Sequence, residues 1–351
     1  MSSQTALLDM SLSDLELLVA DHGAPRFRAK QIADWVFSKR VVDVEEMANL
    51  PKNLRAALAS EYSLGRADPE SVTTSSDGTK KYLFPAGRAR SMTRFVEAAY
   101  IPEENRATLC LSTQIGCSMG CLFCMTARQG LQGNLTAGEI VNQYLSLPER
   151  DSVTNIVYMG MGEPLDNVEP VLKSLEMFTQ PWGLGLSHKR ITVSTIGVVP
   201  GLRRFLEESS CHLAVSLHSP FDDERRSLMP IQHVYPLSEV LEVIRSADVG
   251  RQRRVSFEYI VFKGLNHSAR HVKELTRLLY GIRCRVNLIR FHEIPGAPLH
   301  TAGHDEMVEF QNALKAKGIP TTIRASRGQD VEAACGMLST KRHGVPVQED
   351  Y

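Results

Sequence analysis

The chain carries no excess charge of either sign, with 40 Lys and Arg against 40 Asp and Glu. A nucleic-acid binder commonly shows a basic excess, because neutralising phosphates drives affinity. The balance therefore argues weakly against RNA or DNA and leaves room only for a local basic face. No apolar run reaches the length of a membrane span, so no membrane partner is expected. The first ten residues, Met1 to Met10, lack the basic start and long apolar stretch of a signal peptide, and the expected location is cytoplasmic. There is no internal repeat and no low-complexity tract, which argues against a repeat array. Cysteine is sparse and odd in number, seven in all. In a cytosolic chain that argues against a disulfide framework and for metal binding or catalysis.

What is present suits a large α/β domain with a smaller attachment: 351 residues, 43% hydrophobic and 23% charged. Residues 1–65 read as a helical N-terminal domain. Phe27, Ile32, Trp35, Val36 and Phe37 would line one side of a helix over 27–38, with further helices near 12–20 and 53–62. Residues 66–102 read as a β-rich connector, with strands at 81–84 and 95–100 and a turn at Asp77-Gly78. From 103 to 345 strand and helix patterns alternate. Strands are expected at 108–112, 155–159, 191–194, 213–217, 255–262, 286–291 and 321–325. Helices are expected at 137–146, 237–246, 269–280 and 306–315. This predicts a parallel sheet, closed or partly closed as a barrel, with ligands at the carboxyl ends of its strands.

The polar and glycine-rich clusters fall at those ends. Gly160-Met161-Gly162-Glu163-Pro164 follows the second strand, and Ser194-Thr195-Ile196-Gly197 ends the third. Ser216-Leu217-His218 ends the fourth, and Phe291-His292 the sixth. After the first comes Cys117-Ser118-Met119-Gly120-Cys121-Leu122-Phe123-Cys124. Three thiolates at this spacing can wrap one compact metal centre from one loop. A [4Fe–4S] cluster normally takes four cysteines, so three leave an iron open. S-adenosylmethionine (SAM) can chelate that iron through its amino and carboxylate groups and be cleaved to a 5′-deoxyadenosyl radical. The other reading is structural zinc, which needs a fourth ligand and commonly a second Cys/His pair; none is visible. Around the triplet, Gly162 permits close approach and Glu163 offers a carboxylate for the SAM ammonium group. Ser194, Ser216 and His218 offer hydrogen bonds. Taken singly, each is more readily a turn residue or a satisfied core polar group, and their joint placement on one rim reverses that.

With Asp330-Val331-Glu332-Ala333-Ala334-Cys335-Gly336 and Phe27-Arg28-Ala29-Lys30-Gln31 added, these motifs together resemble the RlmN/Cfr family of radical SAM RNA methyltransferases over almost the whole chain. The Cys-x3-Cys-x2-Cys spacing marks only the superfamily, and the Ala-Ala-Cys-Gly segment narrows it. The resemblance implies a partial (β/α)6 radical SAM barrel. It implies one [4Fe–4S] cluster on Cys117, Cys121 and Cys124 and two SAM molecules per turnover. Methylation would fall on carbon 2 of an adenosine in the peptidyl-transferase region of 23S rRNA, and on tRNA next to the anticodon. Carbon 2 is electron-poor and does not attack a methyl sulfonium, so the methyl is first placed on a cysteine thiolate, by resemblance Cys335. Cys110 would then release the product through a transient disulfide, and Glu97 would take the ring proton. Gly162, Glu163, Ser194, Ser216, Leu217, His218 and His292 would contact SAM. His292 departs from the family, which often has asparagine there. An electron donor such as flavodoxin or ferredoxin and a monomeric state are also implied.

Alternatives stay open at this point. Carbon 8 methylation of the Cfr type is one, although Pro164 favours RlmN. A radical SAM enzyme acting on a small molecule is another, and a non-catalytic iron–sulfur RNA-binding protein a third. Arg26, Arg28, Lys30, Lys39 and Arg40, with Lys80, Lys81, Arg88, Arg90 and Arg94, are candidates to grip RNA phosphates, or equally form a solvated face. Cys211 and Cys284 are expected to be simply buried.

Overall fold

The computed structural model describes residues 4–89, 92–247, 254–334 and 336–340, with backbone only for 88, 89, 92 and 93. Cys335 and Arg90 lie outside the described residues.

The N-terminal part is built on α1 (Leu12–Asp21), α2 (Phe27–Ala33) and α3 (Lys52–Glu61). Ser11 and Asp14 form a reciprocal cap at the start of α1. The helix expected over 27–38 is α2 continued by wider π-type turns over Asp34–Lys39, and Arg40 ends it in the left-handed region. Thr5–Ala6 pairs in parallel with Tyr62–Ser63 and ties the two ends of this part together.

Ten strands make one sheet: β1 (Ser71–Thr74), β2 (Lys80–Ala89), β3 (Met92–Glu103), β4 (Arg106–Cys110), β5 (Asn155–Tyr158), β6 (Ile191–Thr195), β7 (His212–Ser216), β8 (Val255–Val261), β9 (Cys284–Arg290) and β10 (Thr321–Ile323). Their spatial order is their chain order. β1 to β4 are an antiparallel meander, because their connections are short turns. β4 to β10 are all parallel, which requires long crossovers. Helices supply them: α4 (Ala137–Leu145), α5 (Val168–Thr179), α6 (Val199–Glu208), α7 (Asp222–Leu228), α8 (Leu237–Ser246), α9 (Ala269–Leu278) and α10 (His304–Ala316). Six strand–helix units thus precede β10, as the resemblance implies. Among the described residues β4 and β10 do not pair, so the barrel is open. The hairpin β2–β3 adds directly to β4, and the connector is part of the barrel's own sheet.

Strand β8 is buried at every position, the mark of a strand covered on both faces. Its alternation sends Ser256, Glu258 and Ile260 into the lumen, while Phe257 and Tyr259 pack outward under the helices. The N-terminal part docks on α4 and α5. Asp9 Oδ1 accepts from Gly138 N at 2.6 Å, Lys173 pairs with Asp14 at 2.6 Å, and Phe37 meets Trp182 edge-on at 5.5 Å.

After β10 the chain crosses to the hairpin. Gly328 N donates to Asp77 Oδ2 at 2.9 Å, and Asp330 accepts from Ser75 Oγ at 2.6 Å and Ser76 N at 3.0 Å. It then runs under the cysteine loop. Met125 N donates to Gly336 O at 2.8 Å, and Thr126 Oγ1 to Leu338 O at 2.7 Å.

Candidate active site

The loop after β4 lies across the strand carboxyl ends. A two-residue clamp, Gln114–Ile115 against Gly133–Asn134, closes it on itself. Leu122 N donates to Leu228 O at the end of α7 at 3.0 Å. Cys117, Cys121 and Cys124 all line one cavity of about 160 Å³, shared with Gly162, Glu163, Ser194, Ser216 and His218. Burial pushes the Cys117 thiol up to about 12, with Cys124 adding to the effect. Burial and both neighbouring thiols push Cys121 well above its usual value. Such thiols ionise together only beside compensating positive charge, so the donor set fits a cationic metal centre. Among the described residues no three His, Cys, Asp or Glu side chains are gathered closely enough to hold a single metal ion.

The glycine-rich turn after β5 is sterically dictated. Gly162 has φ 95, and a Cβ there would stand 2.5 Å from Gln114 Cβ. Glu163 is buried with both oxygens in use. Oε1 accepts from Thr195 Oγ1 at 2.6 Å and Leu165 N at 3.0 Å, and Oε2 from Ile196 N at 2.9 Å. Burial raises its pKa to about 7 against these hydrogen bonds. The carboxylate that sequence reasoning offers to an ammonium group thus holds the ends of β5 and β6 together.

His218 sits at φ 56, a left-handed conformation uncommon for a non-glycine residue. Its Nδ1 accepts from Ile260 N at 3.0 Å and its carbonyl from Asn266 Nδ2 at 2.6 Å. Burial, with Arg225 nearby, lowers its pKa to about 3. The ring is neutral with its proton on Nε2, an assignment from the hydrogen-bond network. Leu217 turns its side chain into the core and donates its N–H to Glu258 O at 2.9 Å. His292 lines a second cavity, lower in the lumen, and not the cysteine cavity.

Glu97 lies on β3, buried. Its Oε1 is 3.0 Å from Lys81 Nζ, and its Oε2 accepts from Ser339 N at 2.8 Å. Cys110, at the end of β4, packs in a small apolar cluster with Ala99, Val157 and Ala333. Ala333 is two residues before Cys335, and Gly336, one residue after it, lines the cysteine cavity. Cys211 is buried and Cys284 half-buried.

Several residues shape the site in ways the sequence did not signal. Arg225 on α7 is fully buried and donates to Ile196 O at 2.8 Å and Ser216 O at 3.1 Å, bracing two strand ends. Thr195 clamps Glu163, and Lys81 faces Glu97 and not solvent. The other basic candidates are partly spoken for. Arg26 pairs with Glu16 at 2.6 Å, Arg40 with Asp151 at 3.1 Å and Lys80 with Glu149 at 2.5 Å. Lys39 stacks over Trp35 at 3.7 Å, Arg28 bonds Asn49 O at 2.7 Å, and Arg94 donates to Gln132 O. Lys30 is exposed, and the Arg88 side chain lies outside the described residues.

A cysteine-lined cavity at the strand ends of an open parallel barrel defines a radical SAM protein. Residues 111–278 match the family described as Radical SAM superfamily. Residues 5–64 match the ribosomal RNA large subunit methyltransferase N-terminal domain. A crystal structure of a radical SAM methyltransferase from Sphaerobacter thermophilus superimposes with TM-score 0.87 at 41% identity, covering 95% of this chain and 99% of that one. A probable dual-specificity RNA methyltransferase RlmN of Parabacteroides distasonis is 54% identical over 98% of this chain and 99% of its own length. The RlmN of Syntrophus aciditrophicus is 41% identical over 95% and 96%. The chain belongs to the RlmN family.

Proposed function

We propose that this chain methylates carbon 2 of adenosine in 23S rRNA and in tRNA next to the anticodon, with Cys335 as the methyl carrier. Its relatives are named dual-specificity RNA methyltransferases. The observation that carries the cysteine-relay reading is the packing of Ala333 against Cys110, with Gly336 at the cysteine cavity. Ala333 thus lies beside the proposed resolving thiol, and Gly336 beside the proposed cluster site.

In this reading Cys117, Cys121 and Cys124 hold one [4Fe–4S] cluster, which with SAM supplies a reducing electron and a carbon radical. Gly162, Ser194, Ser216 and His218 contact SAM, with His218 donating from Nε2. Glu163 and Leu217 act through the backbone they position, and His292 serves the substrate side of the lumen. The Cys335 thiolate accepts a methyl group. Glu97, a buried carboxylate beside Lys81 and Ser339, accepts the ring proton. The Cys110 thiolate then attacks the Cys335 sulfur, the bond from that sulfur to the base-attached methylene carbon breaks with its electron pair on carbon, that carbon takes a proton to become the product methyl group, and a disulfide remains for reduction. A flavodoxin or ferredoxin supplies electrons, and the protein works as a cytoplasmic monomer. Residues 1–65 with the hairpin arginines grip flanking RNA, and the target base is flipped into the lumen.

The test is incubation of reduced holoenzyme with methyl-labelled SAM and RNA. The expected results are methyl on Cys335 by peptide mass spectrometry and 2-methyladenosine in both RNAs. A Cys110→Ala variant should accumulate RNA cross-linked to protein. Active enzyme without methyl on Cys335 refutes the relay, and 8-methyladenosine refutes the regiochemistry.

A further inference from the structure

The lumen below the cysteine site holds a second cavity of about 330 Å³. The two share Met159, Glu258, Ile289 and Arg324 as their common wall. The lower cavity is lined by arginines from separate elements. Arg106 begins β4, Arg254 precedes β8, and Arg285 is second in β9, so all three stand at strand amino ends. Arg327 joins them from the C-terminal crossing segment.

None of these four makes an ion pair among the described residues. Arg106 Nε donates to Thr108 Oγ1 at 3.0 Å. Arg327 Nε is buried without a hydrogen-bond partner. The carboxylates on the wall are Glu103 and Glu258, and Glu258 is opposed by Arg324 at 3.6 Å. One carboxylate therefore faces four guanidinium groups. Their proximity is felt: burial first, then Arg285 and Arg106, hold the Arg254 pKa below its usual value. Like charges gathered around one cavity without counter-charge raise the free energy of the empty site, and an anion relieves it. Guanidinium forks match the paired oxygens of phosphate.

We propose that this lower lumen binds a small phosphate-class oxyanion, separately from the cysteine cavity, and that the occupant fastens the C-terminal crossing segment to the barrel. The cavity reaches up to His292 near the strand ends, but its arginines lie deeper. β9 climbs about 16 Å from Arg285 to Arg290 at roughly 3.3 Å per residue, so the arginine layer lies well below the strand ends. The fastening follows from the lining: Arg327, Ala333 and Ala334 belong to the crossing segment, and the other three arginines to the sheet.

The experiment uses anaerobic holoenzyme with sodium pyrophosphate, sodium phosphate or AMP, each against sodium chloride at matched ionic strength. Thermal midpoint and hydrogen exchange of residues 326–334 are followed, with cluster absorbance as a check that no metal is stripped. A saturable rise in midpoint is expected, with slower exchange in that segment. In Arg254→Gln/Arg285→Gln the half-saturating concentration should rise at least tenfold, whereas exposed Arg277→Gln should leave it unchanged. Saturation by phosphate or pyrophosphate supports the site, whereas saturation by AMP alone reports the adenine base and overturns the proposal. In chloride alone the double variant should be at least as stable as the parent, because repulsion is relieved. Effects equal to chloride, unaltered saturation in the double variant, or a less stable double variant in chloride would each overturn the proposal. No turnover is measured, so the result is independent of the methylation reading.

Discussion

Glu163 shows how one side chain can sit in a ligand cavity and yet serve the frame. Its three donors hold two strand ends, and its burial raises its pKa from 4.5 to about 7. A carboxyl raised in this way keeps its proton longer in the folded chain than in the unfolded one. The stability it contributes is therefore complete below about 4.5 and lost as pH rises through about 7, a change on the order of 3 kcal/mol. Urea midpoints at pH 5 and pH 8 should differ by this component in the parent, and Glu163→Gln should flatten it. Glu97 is a buried carboxylate of another kind, with Lys81 at 3.0 Å. Lys81→Met should destabilise the fold at pH 7, because the buried carboxylate loses its 3.0 Å ion-pair partner. Adding Glu97→Gln should recover most of that loss, and a denaturation cycle of the four proteins measures the coupling.

The crossing segment is the element on which the proposed chemistry depends. It has little regular structure, and side-chain contacts pin it instead: Asp77 and Asp330 to the hairpin, Thr126 and Gln129 to the cysteine loop. Asp330→Ala removes the acceptor for Ser75 and Ser76. Limited proteolysis should then cut within residues 328–334 several times faster. Turnover should fall while the cluster absorbance stays unchanged, since the cysteine triplet is held by other contacts. Unaltered cleavage would show that the other pins suffice. In the Gly162 turn, Gly162→Ala should weaken SAM binding in equilibrium dialysis and cost about 1–3 kcal/mol, from its clash with Gln114 and its positive φ.

Among the described residues one large apolar core runs from Leu7 in the N-terminal part through the barrel to Leu338, with the small cluster around Cys110 apart from it. Helices α4 and α5 are covered by the sheet on one side and by the N-terminal helices on the other. The N-terminal part should accordingly not unfold separately. Scanning calorimetry of the full chain should show one transition, coincident with loss of far-ultraviolet circular dichroism. Two resolved transitions would mean that the docking contacts at Asp9, Asp14 and Arg40 are weaker than the shared core implies.

Much of this was legible in the amino-acid order. Parallel strands, crossover helices and the place of each polar cluster at a strand end follow from local periodicity, because side-chain alternation and helical spacing are local properties. The cysteine triplet was legible because all three thiols lie on one loop. What only the tertiary structure decided concerns residues distant in sequence. Glu163 is turned inward to Thr195, and Lys81 faces Glu97 although its neighbour Lys80 meets Glu149. Ala333 is laid on Cys110, and Arg225 is buried as a brace. His292 and Leu217 lie off the cysteine cavity, where strand-end position alone could not distinguish a lining side chain from one turned away. The arginine layer was likewise invisible, since net charge is zero and its members are scattered from 106 to 327. Charge balance is a sum over the chain, whereas the field in a cavity depends on which charges the fold brings together.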